Sequence, residues 1–322
     1  MIKLEKHILN LHPFRYIKNK SKNWILPGFE GVPLYEVMKF FRQQIRTSGL
    51  TERASAIAYN FVMSIPPTCL FLFTMIPALP FVSKKNLENE FKLLIVDVFP
   101  SSTSDNAIVK FVIDFIEHSR IGLISFSFIL SLFFASNAMM GVMRSFNRNY
   151  IGFEKRKGLH KRWVAIKLTI LLFGLLLACL FLLISQSNLL HWIGIKNKTV
   201  RDIIVYGRWI FIISLVYYSY GFIYKYAPAT QKRWHITSPG AMLATVLTFL
   251  AMIAFTFFVN RFGTYDVFFG SIGTIIILMS MIYINSLTVL IGFEFNVSIK
   301  SLRAMAELRE REENAKASIN VT

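Results

Sequence analysis

Polar side chains interrupt several long apolar stretches of this sequence, and they are its first candidates for chemistry. Asn60, Asn137 and Asn285 each lie inside such a stretch. If these stretches cross a membrane, each asparagine needs a partner because bulk water is absent there, and such groups often mark functional sites. The alternative is interhelical hydrogen bonding that only fixes packing, at about 0.6 to 2 kcal/mol per contact.

A proline pair lies in the first of these stretches. Pro66 and Pro67 lack backbone N–H groups, so carbonyls of the preceding turn need water, a side chain or a ligand as partner. Interrupted helices of this kind often form transport sites. Asn60 and Ser64 lie within two turns before the pair, so these four residues could line one cavity. A packed structural kink is the alternative.

Three tyrosines recur at helical spacing later in the chain. Tyr217, Tyr220 and Tyr224 stand at i, i+3 and i+7 and share one face, where their hydroxyls could contact a polar headgroup or solute. Aromatic packing is the alternative explanation. The candidate transport path consists of Asn60, Ser64, Pro66, Pro67, Asn137, Tyr217, Tyr220, Tyr224 and Asn285.

Signatures of catalysis are missing from the sequence. It contains no Walker loop, no G-x-G-x-x-G after a strand, no H-E-x-x-H and no C-x-x-C. The six histidines are scattered, and no two have the i, i+3 or i+4 spacing of a helical metal site. We therefore expect no catalytic residue, no metal and no cofactor, and we do not expect an enzyme.

The composition places these residues in a membrane. Of the 322 residues 54% are hydrophobic and 17% charged, a balance too apolar for a soluble domain of this size. Several stretches reach the roughly 20 residues that a bilayer crossing needs. The sequence predicts an all-α, polytopic membrane bundle with six transmembrane helices, at about 54–82, 121–143, 163–185, 209–226, 239–260 and 271–299.

The segments outside the membrane domain at 54–299 have distinct patterns. Residues 1–53 predict a basic tail followed by an amphipathic helix, which begins near Pro33 and lies in the membrane interface. The first span is long enough that a tilt or a break is expected. Residues 83–120 predict an exported helical hairpin. Residues 300–322 are strongly charged and support only a short surface helix.

The distribution of basic residues predicts the orientation of the bundle. Alternate loops and both tails hold 25 Lys and Arg residues, against 10 in the remaining loops. Bases tend to stay cytoplasmic, so both termini are predicted to lie inside. The net charge of +18 then reflects topology and attraction to anionic inner-leaflet headgroups, and nucleic acid is not an expected partner.

Some residues are placed to join spans. Arg53 precedes the first span and Glu294 lies near the end of the last, so the two could form a partly buried ion pair with a net stability contribution near zero. Glycines in the last two spans, Gly240, Gly270, Gly273 and Gly292, permit close helix approach.

The C-terminal third resembles the YihY/BrkB family of bacterial inner-membrane proteins. The matching stretches read Pro239-Gly240-Ala241, Phe262-Gly263-Thr264-Tyr265, Gly270-Ser271-Ile272-Gly273 and Gly292-Phe293-Glu294-Phe295-Asn296. The first span adds Arg53-Ala54, Ala56, Tyr59, Ser64 and Pro66. Phe258, Phe269 and Met281 depart from the aromatic residues that are usual in the family. Structural roles are therefore expected for Arg53, Tyr59, Pro239, Gly240, Tyr265, Gly270, Gly273, Gly292, Glu294 and Asn296.

The resemblance implies a six-span protein of the bacterial inner membrane whose family was once labelled a ribonuclease and is elsewhere linked with lipid-like molecules. We expect it to transport or handle a lipid-like or small amphiphilic solute. The alternative is a non-transporting scaffold for envelope partners. The expected partners are the bilayer, anionic headgroups and a lipid-like substrate, and a homo-oligomer is left open. Ribonuclease activity is not expected, because Glu154 and His160 alone in the basic loop do not make a cleavage site.

Overall fold

A computed structural model describes residue 22 and residues 24–75, 121–147, 158–184, 198–230, 233–261 and 271–319. Over these ranges the chain forms seven α-helices, and the protein is an all-α membrane bundle, as predicted. The predicted hairpin at 83–120, Tyr265 and Gly270 lie outside the described residues. The helices are α1 (Leu34–Thr47), α2 (Leu50–Met75), α3 (Ile121–Phe146), α4 (Gly158–Ile184), α5 (Lys198–Tyr226), α6 (Pro239–Arg261) and α7 (Ser271–Ile319).

Helix α1 is the amphipathic helix that the sequence predicts, and it starts directly after Pro33. Its apolar face packs on protein: Val37 and Phe41 are buried with Phe295 and Ile299 of α7. The rings of Phe41 and Phe295 meet edge to face at 5.1 Å. Part of the face that could have entered lipid is therefore covered by α7, and placement at the membrane interface stays a prediction.

Helix α2 continues without interruption through Pro66 and Pro67. Of the two expected outcomes, a tilt or a break, the described part, Leu50–Met75, shows no break. Hydroxyl groups on both sides of the pair donate to backbone carbonyls that precede it, Ser64 to Phe61 O and Thr68 to Ser64 O, each at 2.7 Å. Extensive packing against α3 also holds this helix in place.

Five of the described helices are long and apolar enough to cross a membrane, namely α2, α3, α4, α6 and α7. Helix α5 has the length but is not among them. Its second half carries Tyr217, Tyr218, Tyr220, Tyr224 and Lys225, which lower its mean hydropathy. The protein is thus multi-pass, and a sixth crossing, by α5, stays a prediction.

Helix α7 runs for 49 residues, from the last predicted span into the charged tail. The expectation of a separate short surface helix after residue 299 is therefore wrong. No glycine or proline occurs between Asn296 and Ile319, and the segment is rich in the strong helix formers Ala, Leu, Glu and Arg. An ion pair between Arg303 and Glu307, at 2.8 Å and i, i+4 spacing, adds support.

The core of the bundle lies where helices α2 to α7 meet. Phe146 of α3 stacks on Phe293 of α7 with ring centroids 3.9 Å apart, and both side chains are fully buried. Basic residues concentrate near this core, at what we call the basic end of the bundle: Arg53, Arg144, Arg162, Lys225 and Lys300.

Candidate functional site

The predicted pair of Arg53 and Glu294 is present at the basic end. Arg53 Nη1 donates to Glu294 Oε1 at 2.5 Å, and the two side chains are 9% and 0% exposed. The same guanidinium donates to Ser48 O at 3.2 Å and to Ser145 O of α3 at 2.7 Å. One buried cation therefore joins the start of α2, the end of α3 and the middle of α7.

A polar cleft of about 240 Å³ opens between α2 and α3 beside this pair. The α2 wall consists of Glu52, Ala56 and Asn60, which recur at i, i+4 and i+8, together with Arg53. The α3 wall consists of Gly141, Arg144 and Ser145. A side chain at Gly141 would place its Cβ 3.0 Å from Asn60 Nδ2, so glycine leaves room for the amide.

Asn60 is the one member of the candidate transport path that lines this cleft. It is half-buried and donates to Ala56 O in its own helix at 2.6 Å. Ser64 is buried, and its hydroxyl bonds to its own helix. The structure therefore places Asn60 in a cavity but does not bring Ser64, Pro66 and Pro67 to the same cavity.

The other two asparagines lie elsewhere in the bundle. Asn137 Oδ1 accepts a hydrogen bond from Arg162 of α4, whose guanidinium also lies 4.9 Å from the ring centroid of Phe133. Asn285 donates to Met281 O in its own helix at 2.9 Å. The contact of Asn137 matches the alternative of interhelical hydrogen bonding, whereas that of Asn285 stays within one helix.

The tyrosine stripe faces the core between α5, α6 and α7. Tyr224 is 1% exposed and donates to Val289 O at 2.8 Å. The hydroxyl of Tyr220 lies 2.7 Å from Thr248 Oγ1, which is 3.0 Å from Thr288 Oγ1. Tyr217 is partly buried against the same core. The described residues therefore place these rings in helix packing, away from the cleft.

The glycines of α6 and α7 bring the two backbones into contact. A Cβ added to Gly292 would lie 2.5 Å from both Gly240 O and Tyr224 Oη, so no side chain fits there. Asn296 fixes the start of α6: its Oδ1 accepts from Gly240 N at 2.8 Å, and its Nδ2 donates to Ser238 Oγ at 2.9 Å. Pro239 is the first residue of α6, directly before this junction.

The remaining motif residues take separate positions. Tyr59 is 59% exposed on the surface of α2, and Gly273 lies in the first turn of α7. Arg144, Arg162 and Ser238 were not among the predicted site residues. Arg144 could have been found from the sequence, because Asn137, Gly141 and Arg144 recur at i, i+4 and i+7 on one face of α3.

The cleft offers binding rather than bond-breaking chemistry. Two guanidinium groups and an amide can hold an anion or a polar headgroup. Within the ranges that the structure describes, no three His, Cys, Asp or Glu side chains are grouped so as to hold a metal ion.

Comparison with known proteins identifies the family. The family model described as Virulence factor BrkB matches residues 41–318. The ribonuclease-like protein YfkH of Bacillus subtilis (strain 168) is 25% identical over 261 residues, which cover 79% of this chain and 92% of YfkH. The UPF0761 membrane protein IL2447 of Idiomarina loihiensis is 26% identical, over 82% of this chain and 90% of that protein. A UPF0761 membrane protein of Cronobacter sakazakii is 24% identical, over 87% of this chain and 94% of that protein.

No solved structure matches the chain. The family model covers most of the sequence, including the amphipathic helix from Phe41 and all seven described helices in whole or in part. The two UPF0761 relatives are named as membrane proteins, in agreement with the apolar helices of the bundle. This multi-pass membrane protein belongs to the Virulence factor BrkB family.

Proposed function

We propose that the protein binds and moves a lipid-like molecule with an anionic headgroup, and that the cleft between α2 and α3 receives the headgroup. The observation that carries this proposal is the polar cleft itself, with Arg144 and Asn60 on facing walls of two apolar helices. A polar site at the side of a membrane helix suits a ligand whose other part stays in lipid.

The charges around the cleft favour an anion. Arg53 is already paired with Glu294, so Arg144, which is exposed, is the cation best placed to meet a ligand. Lys161 of α4 lies close enough to Arg144 for the two charges to interact. Glu52 on the rim opposes these bases, so binding needs a headgroup that reaches past it to Arg144.

The surface next to the cleft suits an acyl chain. Tyr59, next to Asn60 in the chain, and Met63, about one turn after it, are 59% and 47% exposed on α2. Exposed apolar side chains on a membrane helix contact lipid tails. An amphiphile could therefore place its headgroup in the cleft while its chains remain beside α2.

The direct test is transport of labelled lipid by the purified protein in liposomes. We expect Arg144→Gln to reduce the rate roughly tenfold or more, because a charge-assisted hydrogen bond contributes about 1.5–3 kcal/mol. Asn60→Leu should also reduce it. Arg46→Gln, which removes an exposed base of α1 outside the cleft, is the matched control. Equal rates for all variants would contradict the proposal.

The prolines provide a separate test. If motion at Pro66 contributes to transport, Pro66→Ala should impair flux while protein levels stay intact. If flux is unchanged by both Pro66→Ala and Asn60→Leu, the transport path predicted along α2 is wrong.

A scaffold is the second candidate function, and the length of α7 favours it. About 20 residues of charged helix follow Lys300 and offer a partner an exposed surface. Removal of residues 304–322 should then abolish co-purification of an envelope partner without lowering lipid flux. Under the transport proposal alone, the truncation changes neither.

The name of YfkH suggests ribonuclease activity, but the residues of the present chain do not favour it. Phosphodiester cleavage needs clustered carboxylates with a metal ion or a pair of histidines. Within the described residues, no three His, Cys, Asp or Glu side chains are grouped so as to hold a metal ion. Incubation of the purified protein with RNA, with and without divalent metal ions, tests this directly.

A further inference from the structure

A second cavity, of about 320 Å³, lies at the basic end on the other side of α7 from the cleft. Its size is at the lower end of the range of roughly 300–1,000 Å³ that is usual for small-molecule sites. Trp234, Pro239 and Ile299 provide apolar walls, and Thr237, Ser238 and Asn296 provide polar groups. His235 and Lys300 add basic groups.

Residues 24–33, which we call the strap, form the remaining wall of this cavity through Pro27, Gly28 and Glu30. The strap is folded by its own backbone hydrogen bonds, including Phe29 N to Leu26 O at 3.1 Å and Val32 N to Phe29 O at 3.0 Å. Phe29 is 4% exposed and packs edge to face on Phe295. The strap therefore has one apolar anchor, on α7.

The other anchor of the strap is a carboxylate held by two bases of α7. Glu30 Oε1 accepts from Lys300 Nζ at 2.5 Å, and Glu30 Oε2 lies 3.9 Å from Arg303 Nε. Arg303 also donates to the backbone carbonyl of Glu30 at 2.7 Å. Lys300 and Arg303 are 27% and 45% exposed, so water competes for both.

The backbone of the strap is strained at Glu30. Glu30 has a φ of 51°, in the left-handed region that non-glycine residues seldom adopt. Gly28, with a φ of 87°, has no room for a side chain, since a Cβ would lie 2.8 Å from Pro239 Cγ. Glu30 thus has a strained backbone, and its carboxylate lies in a partly exposed ion pair for which another anion can compete.

We propose that the cavity beneath the strap is a second binding site, for a molecule that carries a phosphate group, and that Glu30 occupies the position of this phosphate on Lys300 and Arg303. Phosphate oxygens accept charge-assisted hydrogen bonds from both types of base. The phosphate displaces the Glu30 carboxylate, and the strap detaches from α7. The same chemistry fits a free phosphate or the headgroup of an anionic phospholipid.

Hydrogen–deuterium exchange of the amides of residues 24–34 in the purified full-length protein tests this proposal without any substitution. Millimolar inorganic phosphate should raise exchange of these amides above that in sodium chloride of the same ionic strength, which controls for screening. Nanodiscs of phosphatidylglycerol, compared with phosphatidylcholine, form the second arm. A response to phosphate alone indicates a soluble ligand, and a response to phosphatidylglycerol alone indicates a lipid headgroup.

Substituted variants show whether a change in exchange depends on the proposed contacts. Glu30→Gln should raise basal exchange of the strap about threefold or more, because removal of the charged pair shifts the closed–open equilibrium. Glu307→Gln is the matched control, since Glu307 also pairs with Arg303 but belongs to α7. Lys300→Gln should abolish the response to the ligand, whereas Arg144→Gln, in the cleft of the proposed transport function, should preserve it.

Unchanged or reduced exchange of the strap in both ligand arms would overturn the proposal. So would a response that survives Lys300→Gln. Because the ligand arms use the unsubstituted protein, they decide the question even if a variant does not fold.

Discussion

Arg53 illustrates how the basic end of the bundle stabilises a buried charge. It is 8% exposed, and its guanidinium contacts Glu294 and the carbonyls of Ser48 and Ser145. Desolvation of two charges offsets most of their attraction, so such a pair adds little stability compared with apolar residues. Removal of one partner costs more stability, because the other charge then stays buried without it. The pair therefore fixes how α2, α3 and α7 meet.

Replacement of either charge at this pair should destabilise the protein. We expect Arg53→Gln and Glu294→Gln each to cost about 3–5 kcal/mol, and the double variant to cost less than the sum of the two. Thermal unfolding in detergent measures all four members of the cycle. Charge reversal at both positions should restore only part of the stability, because Arg53 also bonds to two backbone carbonyls. Additive effects of the single changes would show that the pair is not coupled.

Gly292 tests the close contact between α6 and α7. We expect Gly292→Ala to destabilise the protein by about 1–3 kcal/mol, because its Cβ would overlap Gly240 O and Tyr224 Oη. The matched control is Gly174→Ala in α4, where a Cβ meets nothing within 4 Å. That change should be neutral or stabilise by about 0.5–1 kcal/mol, since alanine favours helix. A similar melting temperature for both variants would contradict the contact.

At the scale of elements, α1 is held by its packing on α7. Phe41→Ala removes a buried ring that meets Phe295, and such changes cost up to about 3–5 kcal/mol at core sites. We expect α1 to detach and trypsin to cut faster after Lys39 and Arg42, which are exposed on its polar face. Met38→Ala, at a position 48% exposed on the same helix, should leave cleavage unchanged. Equal cleavage of both variants would indicate that α1 is held by other contacts.

The helices themselves were predictable, because apolar length and the spacing of polar residues depend only on local sequence. The pair of Arg53 and Glu294 was also predictable, since two charges at the ends of spans have few other partners. The partners of the intramembrane asparagines were not. Asn60 bonds to Ala56 O in its own helix, and Asn137 bonds to Arg162 of another helix. The residue spacing within each helix does not predict which kind of partner an asparagine has.

Two local signals at this scale did not determine the helices. Pro66 and Pro67 favour a break or a kink, and the charge of residues 300–319 favours only a short surface helix. Packing on α3 supports α2 across the prolines, whereas in α7 the uninterrupted run of helix formers outweighs the effect of the charges. The cleft between α2 and α3 was missed because it depends on which faces of two helices meet.

At the scale of the whole molecule, the contacts of the strap indicate whether the number of membrane crossings is odd or even. Glu30 contacts Lys300 and Arg303, so we expect the segments before α2 and after the apolar part of α7 to lie on the same side of the membrane. An even number of crossings must then separate them. Five described helices qualify as spans by hydropathy, so α5 is the natural sixth. Ala229, just after α5, bonds to Asn147 at the end of α3, which places both helix ends together.

Reporter fusions test this parity and the predicted orientation together. Alkaline phosphatase, which is active only after export, should be active when fused after Arg120 or Lys196 and inactive after Lys232, because α5 carries the chain back to the basic side. Green fluorescent protein should show the reverse pattern. If α5 does not cross, the fusions after Lys196 and Lys232 would report the same side. Such a result would also be incompatible with the contact between Glu30 and Lys300, since five crossings place these two residues on opposite faces of the membrane.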